Sequence, residues 1–155
     1  MDLDTWLHFL HVLAATIWVG GGVTLSLVGL RSRSSTELSA IGEFSRTLPF
    51  VGLRVLTPAV IVVLVTGVWM VLAGSEWNFS QFWVWFGLAL FAIAFAIGGI
   101  YLSRVGIQLD RATRPGSAVL PAALPVLLDR WLVGYGAVLA VLVVAVWDMV
   151  FKPGL

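Results

Sequence analysis

The sequence predicts an all-α, polytopic integral membrane protein, a bundle of four transmembrane helices with a short amphipathic helix in its first cytoplasmic loop. Of its 155 residues, 60% are hydrophobic and only 11% charged, with a mean hydropathy of +1.02. Such a composition suits a polytopic membrane domain rather than a soluble one. The charges are also clustered: four long segments contain none, and a run of roughly 20 apolar residues is what crosses a hydrocarbon core of about 30 Å. Finally, the basic residues fall in two of the connecting segments and almost nowhere else. One transmembrane domain over residues 1–155 is expected.

The first span covers about 5–30, a stretch with no formal charge that nevertheless contains both histidines of the chain, His8 and His11. Its lead-in, Met1-Asp2-Leu3-Asp4, lacks the basic region and the short apolar core of a secretory signal. The span is therefore expected to stay in the mature protein. In the connection from Arg31 to Arg54, Ser35-Thr36-Glu37-Leu38 offers a capped helix start, and Leu38, Ile41, Phe44 and Leu48 recur at helical spacing. They predict the amphipathic helix, lying on the inner surface. The second span covers about 55–75, with Pro58 one turn inside it, where it is tolerated or kinks the helix. A tight turn through Gly74-Ser75-Glu76-Trp77-Asn78 leads to the third span, about 79–103. The connection from Arg104 to Arg130 holds Pro115-Gly116, Pro121 and Pro125 and reads as a turn followed by a broken interfacial segment. The fourth span covers about 131–151.

Orientation follows from the charges. Arg31, Arg33, Arg46, Arg54, Arg104, Arg111, Arg114 and Arg130 all lie in the two long connections, and only Lys152 lies elsewhere. Because Lys and Arg accumulate on the cytoplasmic side, both long connections are expected inside and both termini outside, in a bacterial inner membrane. Trp6, Trp77, Trp83, Trp85 and Trp147 then share the outer boundary, the level indole rings prefer.

Several chemistries are excluded or disfavoured at once. There is no cysteine, hence no disulfide, thiolate metal site or cysteine nucleophile. The net charge of +1 provides no basic stripe for nucleic acid. What remains is the group of ionisable side chains inside the spans, which are functional-site candidates because they are costly there. Asp4, His8, His11, Ala15, Trp18 and Gly22 follow the four-and-three spacing of one helix face. Counting inward from the outer ends at about 1.5 Å per residue puts His8 level with Met70, Trp83 or Trp85, and Asp148. The same count puts His11 level with Thr66-Gly67, Gly87 and Ala145. His8, His11, Met70, Met149 and Asp148 thus converge in the outer third as candidate metal ligands. Each also has a plainer explanation: an interfacial hydrogen bond for the histidines, packing for the methionines, a solvated helix end for Asp148. Gly20, Gly21 and Gly22 permit close helix packing, or room for a flat ligand.

The run HVLAATIWVGG from His11 to Gly21 resembles the first helix of the CopD-like copper-resistance membrane proteins and their relatives, among them the membrane-bound protoporphyrinogen oxidases of the HemJ type. There a histidine is followed seven residues later by tryptophan and then by small residues, as His11, Trp18, Gly20 and Gly21 are here; His8 is additional. Thr66-Gly67 and the ending Trp147-Asp148-Met149 with Lys152-Pro153-Gly154 resemble small bacterial four-helix members of the group. The resemblance implies that His11 is an axial ligand to haem b; Met70, His11 of a second copy, or nothing would then hold the opposite face. Those oxidases also use a lysine in the third helix, and Gln81 to Ser103 has none, so the resemblance alone does not extend to the oxidase activity and leaves open whether the chain is an enzyme. The CopD-like side of the group implies copper handling at the outer face instead.

Three functions follow. One is an accessory or redox subunit of a membrane complex holding haem b through His11, with Thr66 orienting its ring and Trp18, Gly20 and Gly21 around the ligand. The second is a copper-binding or copper-transport protein using His8, His11, Met70, Met149 and Asp148. The third is a cofactor-free structural subunit. In all three the chain meets the lipid bilayer and acts with other membrane subunits or a second copy.

Overall fold

The computed structural model describes residues 2–35, 38–73, 77–114 and 123–154. Among them there is no strand; four helices, α1 (Leu3–Ser34), α2 (Ser39–Ala73), α3 (Phe82–Ala112) and α4 (Ala123–Phe151), are each long and apolar enough to cross a membrane. At about 1.5 Å per residue they exceed the roughly 30 Å of a hydrocarbon core. The excess lies at the end where the arginines gather. We call this the arginine end; the other, with both chain termini and the Trp77 turn, is the tryptophan end.

At the arginine end the helices continue past the charge-free segments. The expected amphipathic segment is helical, but it is not a separate rod on a membrane surface. It runs without a break into the second span, and its Ile41, Phe44 and Leu48 are buried against α3 and α4, where Val105, Leu109, Leu124 and Leu128 complete a core. The Phe44 and Trp131 rings meet edge to face at 5.2 Å. Arg104 to Ala112, expected as connection, are helical too, and α4 begins at Ala123, with Pro125 in its first turn, where a missing N–H costs little. Pro115-Gly116 and Pro121 lie outside the described residues. Arg33 pairs with Asp129 across α1 and α4 at 2.7 Å, and the buried Ser45 hydroxyl bonds Thr113 at 2.9 Å.

Both α2 and α3 loosen into a π turn at similar depth, over Gly52–Leu56 and Ala96–Leu102. In α2 the cause is Pro58, which has no N–H to give to the carbonyl one turn back. Thr57 compensates by bonding the Gly52 carbonyl with its backbone N–H and with its hydroxyl at 2.9 Å. In α3 the turn contains Gly98 and Gly99, poor helix formers.

Around the bundle the helices follow the order α2, α1, α4, α3. On the arginine side of the π turns α2 also packs on α3. Beyond them the two diverge, and Thr57–Ala73 and Phe82–Phe95 do not pack together among the described residues. The bundle is thus closed at one end and opens as a V at the other. Its seam on α1 is Leu7, Ala14, Trp18, Gly22, Leu25, Gly29 and Ser32, close to heptad spacing. Gly22 lies directly under the Tyr135 ring of α4, and a Cβ on Gly29 would meet Leu132 at 3.0 Å. Such close backbone approach drives association where lipid is as apolar as leucine. Leu72, Trp85, Val133 and Val150 point outward, so this surface meets the lipid bilayer.

Candidate functional site

Between the arms of the V, backed by α1 and α4, lies an apolar cavity of about 730 Å³. His8 and Trp18, both on its wall, are ten residues apart, so it extends about 15 Å along α1. Its floor is Trp18, which meets Phe91 of α3 edge to face at 5.8 Å. Its mouth, at the tryptophan end, carries His8, Trp77, Trp83 and Lys152.

His11 sits on the wall between floor and mouth, half-buried. Its Nδ1 is 3.0 Å from the Thr66 hydroxyl, the pairing that equal depth on the two helices predicts. That hydroxyl already donates to the Val62 carbonyl at 2.6 Å, so it accepts from His11 Nδ1–H. In the neutral imidazole this contact places the proton at Nδ1, which leaves Nε2 with a lone pair. Gly67 is the second half of the device: a Cβ there would meet His11 Cε1 at 3.1 Å, so the ring rests on bare backbone. Thr66-Gly67 thereby fixes the tautomer and the seat of the ring together.

His8 is placed differently. It is exposed, its Nδ1 donates to the Asp4 carbonyl at 2.9 Å, and its ring meets Trp77 edge to face at 5.2 Å. Asp4 itself is exposed. The two histidines share the cavity, one on its wall and one at its rim.

Of the other expected residues, Met70 is buried and Met149 half-exposed, and both line the cavity. Asp148 does not. It is wholly buried, with neither carboxylate oxygen hydrogen-bonded among the described residues, and a Cβ on Gly87 would meet its Oδ2 at 3.1 Å. A solvated helix end is therefore ruled out for it; α4 continues one turn further and packs it against α3. The three glycines separate by direction. Gly20 lines the cavity and a Cβ on it would meet nothing within 4 Å, whereas a Cβ on Gly21 would meet Leu56 at 2.8 Å and one on Gly22 would meet Tyr135. Trp18 is both seam and cavity floor.

Three contributors were not anticipated. Trp77 and Trp83 appear in the sequence as members of an interfacial belt, yet they turn inward, edge to face at 5.7 Å, while Trp6, Trp85 and Trp147 stay outward. Lys152, the one departure from the charge pattern, places its Nζ 4.2 Å from the Trp77 ring centre. The signal available for it was Pro153-Gly154, which marks the end of α4 and a change of chain direction.

Residues 5–153 match DUF2269, a family described as predicted integral membrane proteins, and the chain belongs to that family. No curated protein and no solved structure matches it.

Proposed function

We propose that this member of the DUF2269 family is a small haem b protein of the bacterial inner membrane, a redox or accessory subunit in which His11 offers Nε2 to the iron. The observation supporting this reading is the His11 seat. A neutral imidazole with its proton held at Nδ1 by Thr66, resting on Gly67, lines an apolar chamber of about 730 Å³. An acceptor on the far ring nitrogen is the usual means by which a protein orients a metal-binding histidine.

The residues fit the group. The chamber falls within the roughly 300–1,000 Å³ of small-molecule sites. Its wall is almost entirely apolar, as a macrocycle requires, and Gly20 leaves it open. Apart from His11 and Thr16, its polar groups stand at the mouth, where a carboxylate-bearing edge would lie. Haem b, when bound, supplies one-electron transfer. The chain's residues hold the imidazole (Thr66 and Gly67), close the floor (Trp18 and Phe91) and leave Met70 on the same wall. The resemblance of His11, Trp18 and Gly20 to the CopD-like and HemJ-type first helix agrees with this; Gly21 packs against Leu56 instead.

Copper is less well supported. Among the described residues no three of His, Cys, Asp and Glu gather as a metal site, and Asp148 is turned away from the histidines' cavity. The arginine asymmetry supports a cytoplasmic arginine end and both termini outside. Electron exchange would then run to another membrane subunit or a second copy of the chain at the outer face.

A reduced-minus-oxidised spectrum of protein purified from haem-replete cells tests the proposal. A Soret band is expected in wild type, absent in His11→Ala and retained, with a shifted maximum or potential, in His8→Ala. No haem in wild type, or full retention in His11→Ala, refutes it.

A further inference from the structure

Building on the haem reading, we propose that Lys152 anchors a carboxylate of the cavity's ligand at the mouth. Lys152 is the only lysine of the chain and the only basic residue at the tryptophan end. Apart from the two histidines, no other residue lining the cavity is ionisable, and Lys152 makes no ion pair among the described residues.

Its position is built by the backbone. Where α4 ends, the Lys152 N–H still bonds the Asp148 carbonyl at 2.8 Å, but its φ of 43° is left-handed, a conformation uncommon for a residue with a Cβ. Glycine or asparagine usually serves there. The ammonium lies 4.2 Å from the Trp77 ring centre and 5.5 Å from that of Trp83. Two indole faces hold the cation at the rim of an apolar chamber without neutralising it. A ligand that buries an apolar body between the arms of the V and leaves a carboxylate at the mouth meets that charge directly.

A cation gripped by two indoles could also serve merely to clip the chain end to the Trp77 turn, and the test separates the two. Full-length protein in detergent is titrated, by the Soret band, with haem b and with haem dimethyl ester, whose carboxylates are capped. Wild type is expected to bind the free acid about tenfold more tightly than the ester, as a hydrogen bond to a charged group suggests. Lys152→Gln should bind both equally, and Lys152→Arg should restore the preference. A preference for the free acid that survives in Lys152→Gln overturns the proposal, whatever happens to the melting temperature; so does a wild type with no preference. If wild type binds neither ligand better than His11→Ala does, the haem reading fails and this assignment with it. If wild type binds both and only the preference misbehaves, the haem reading stands alone.

Discussion

Gly20 and Gly22 are two residues apart on α1 and chemically identical, yet alanine at the two positions should act oppositely. At Gly22 a Cβ would collide with the edge of the Tyr135 ring at Cε1, with Oη at 2.8 Å and Cζ at 3.0 Å. Ordinary carbon contacts are near 3.5–4.0 Å, so the ring or the helix must move by roughly half an ångström or more. Tyr135 has little freedom to yield, because it stacks on Trp131 at 5.0 Å and is itself buried. Overpacking of this kind costs about 1–3 kcal/mol, only partly offset by the better helix propensity of alanine, about 1 kcal/mol. Gly20→Ala meets nothing within 4 Å and keeps the propensity gain. The pair should therefore differ by roughly 1–3 kcal/mol, taking the overpacking range alone since the propensity gain is common to both. For a chain of this size that is a separation of about 2–12 °C in melting temperature, with Gly22→Ala lower. Thermal unfolding of both variants in one detergent, with no ligand added, measures it. Equal melting temperatures, or a lower one for Gly20→Ala, would refute the α1–α4 crossing described above.

Thr66→Val removes the acceptor at His11 Nδ1, so haem affinity should fall by about 1 kcal/mol, roughly fivefold, with Thr66→Ser close to wild type by titration. Asp148→Asn should leave the melting temperature unchanged or raised, since the carboxyl has no partner to lose among the described residues and burying an unpaired charge is unfavourable; a loss above about 1 kcal/mol would show that it has one. Asp129→Ala should cost less than about 1 kcal/mol, because the Arg33–Asp129 pair is exposed on both sides, 43% and 48%. Reporter fusions after Leu155 and within the arginine connections should report opposite sides of the membrane, and a C-terminal tag reached only from the cytoplasm contradicts the proposed orientation.

The four helices could be read from the sequence because charge is excluded from hydrocarbon, and that same criterion misplaced their ends at the arginine end. It detects where lipid is, not where the helix stops. Helix facing divides along the same line. At the arginine end, where polar residues contrast with apolar ones, Ile41, Phe44 and Leu48 were assigned to one apolar face, and that face is buried against the bundle instead of lying on the membrane surface. Inside the spans both lipid and core accept leucine, so nothing in the string GGG says which glycine meets Tyr135. The His11–Thr66 pair was legible from depth alone, since helical rise converts residue number into height. The rim of the cavity was not, because Trp77 and Lys152 reach it by turns of the chain, and a left-handed φ at a lysine has no compositional signature.

The divergence of α2 and α3 beyond their π turns also sets the route by which a guest arrives. The gap between those two arms lies on the outside of the bundle, so the proposed apolar guest, dissolved in the bilayer, would enter sideways through it. Uptake would then follow the molecule's mole fraction in the lipid rather than its concentration in water, so diluting the same protein and guest into twice the lipid should slow loading about twofold. A bulky side chain on the cavity wall contributed by α2, as in Leu64→Trp, should slow it further.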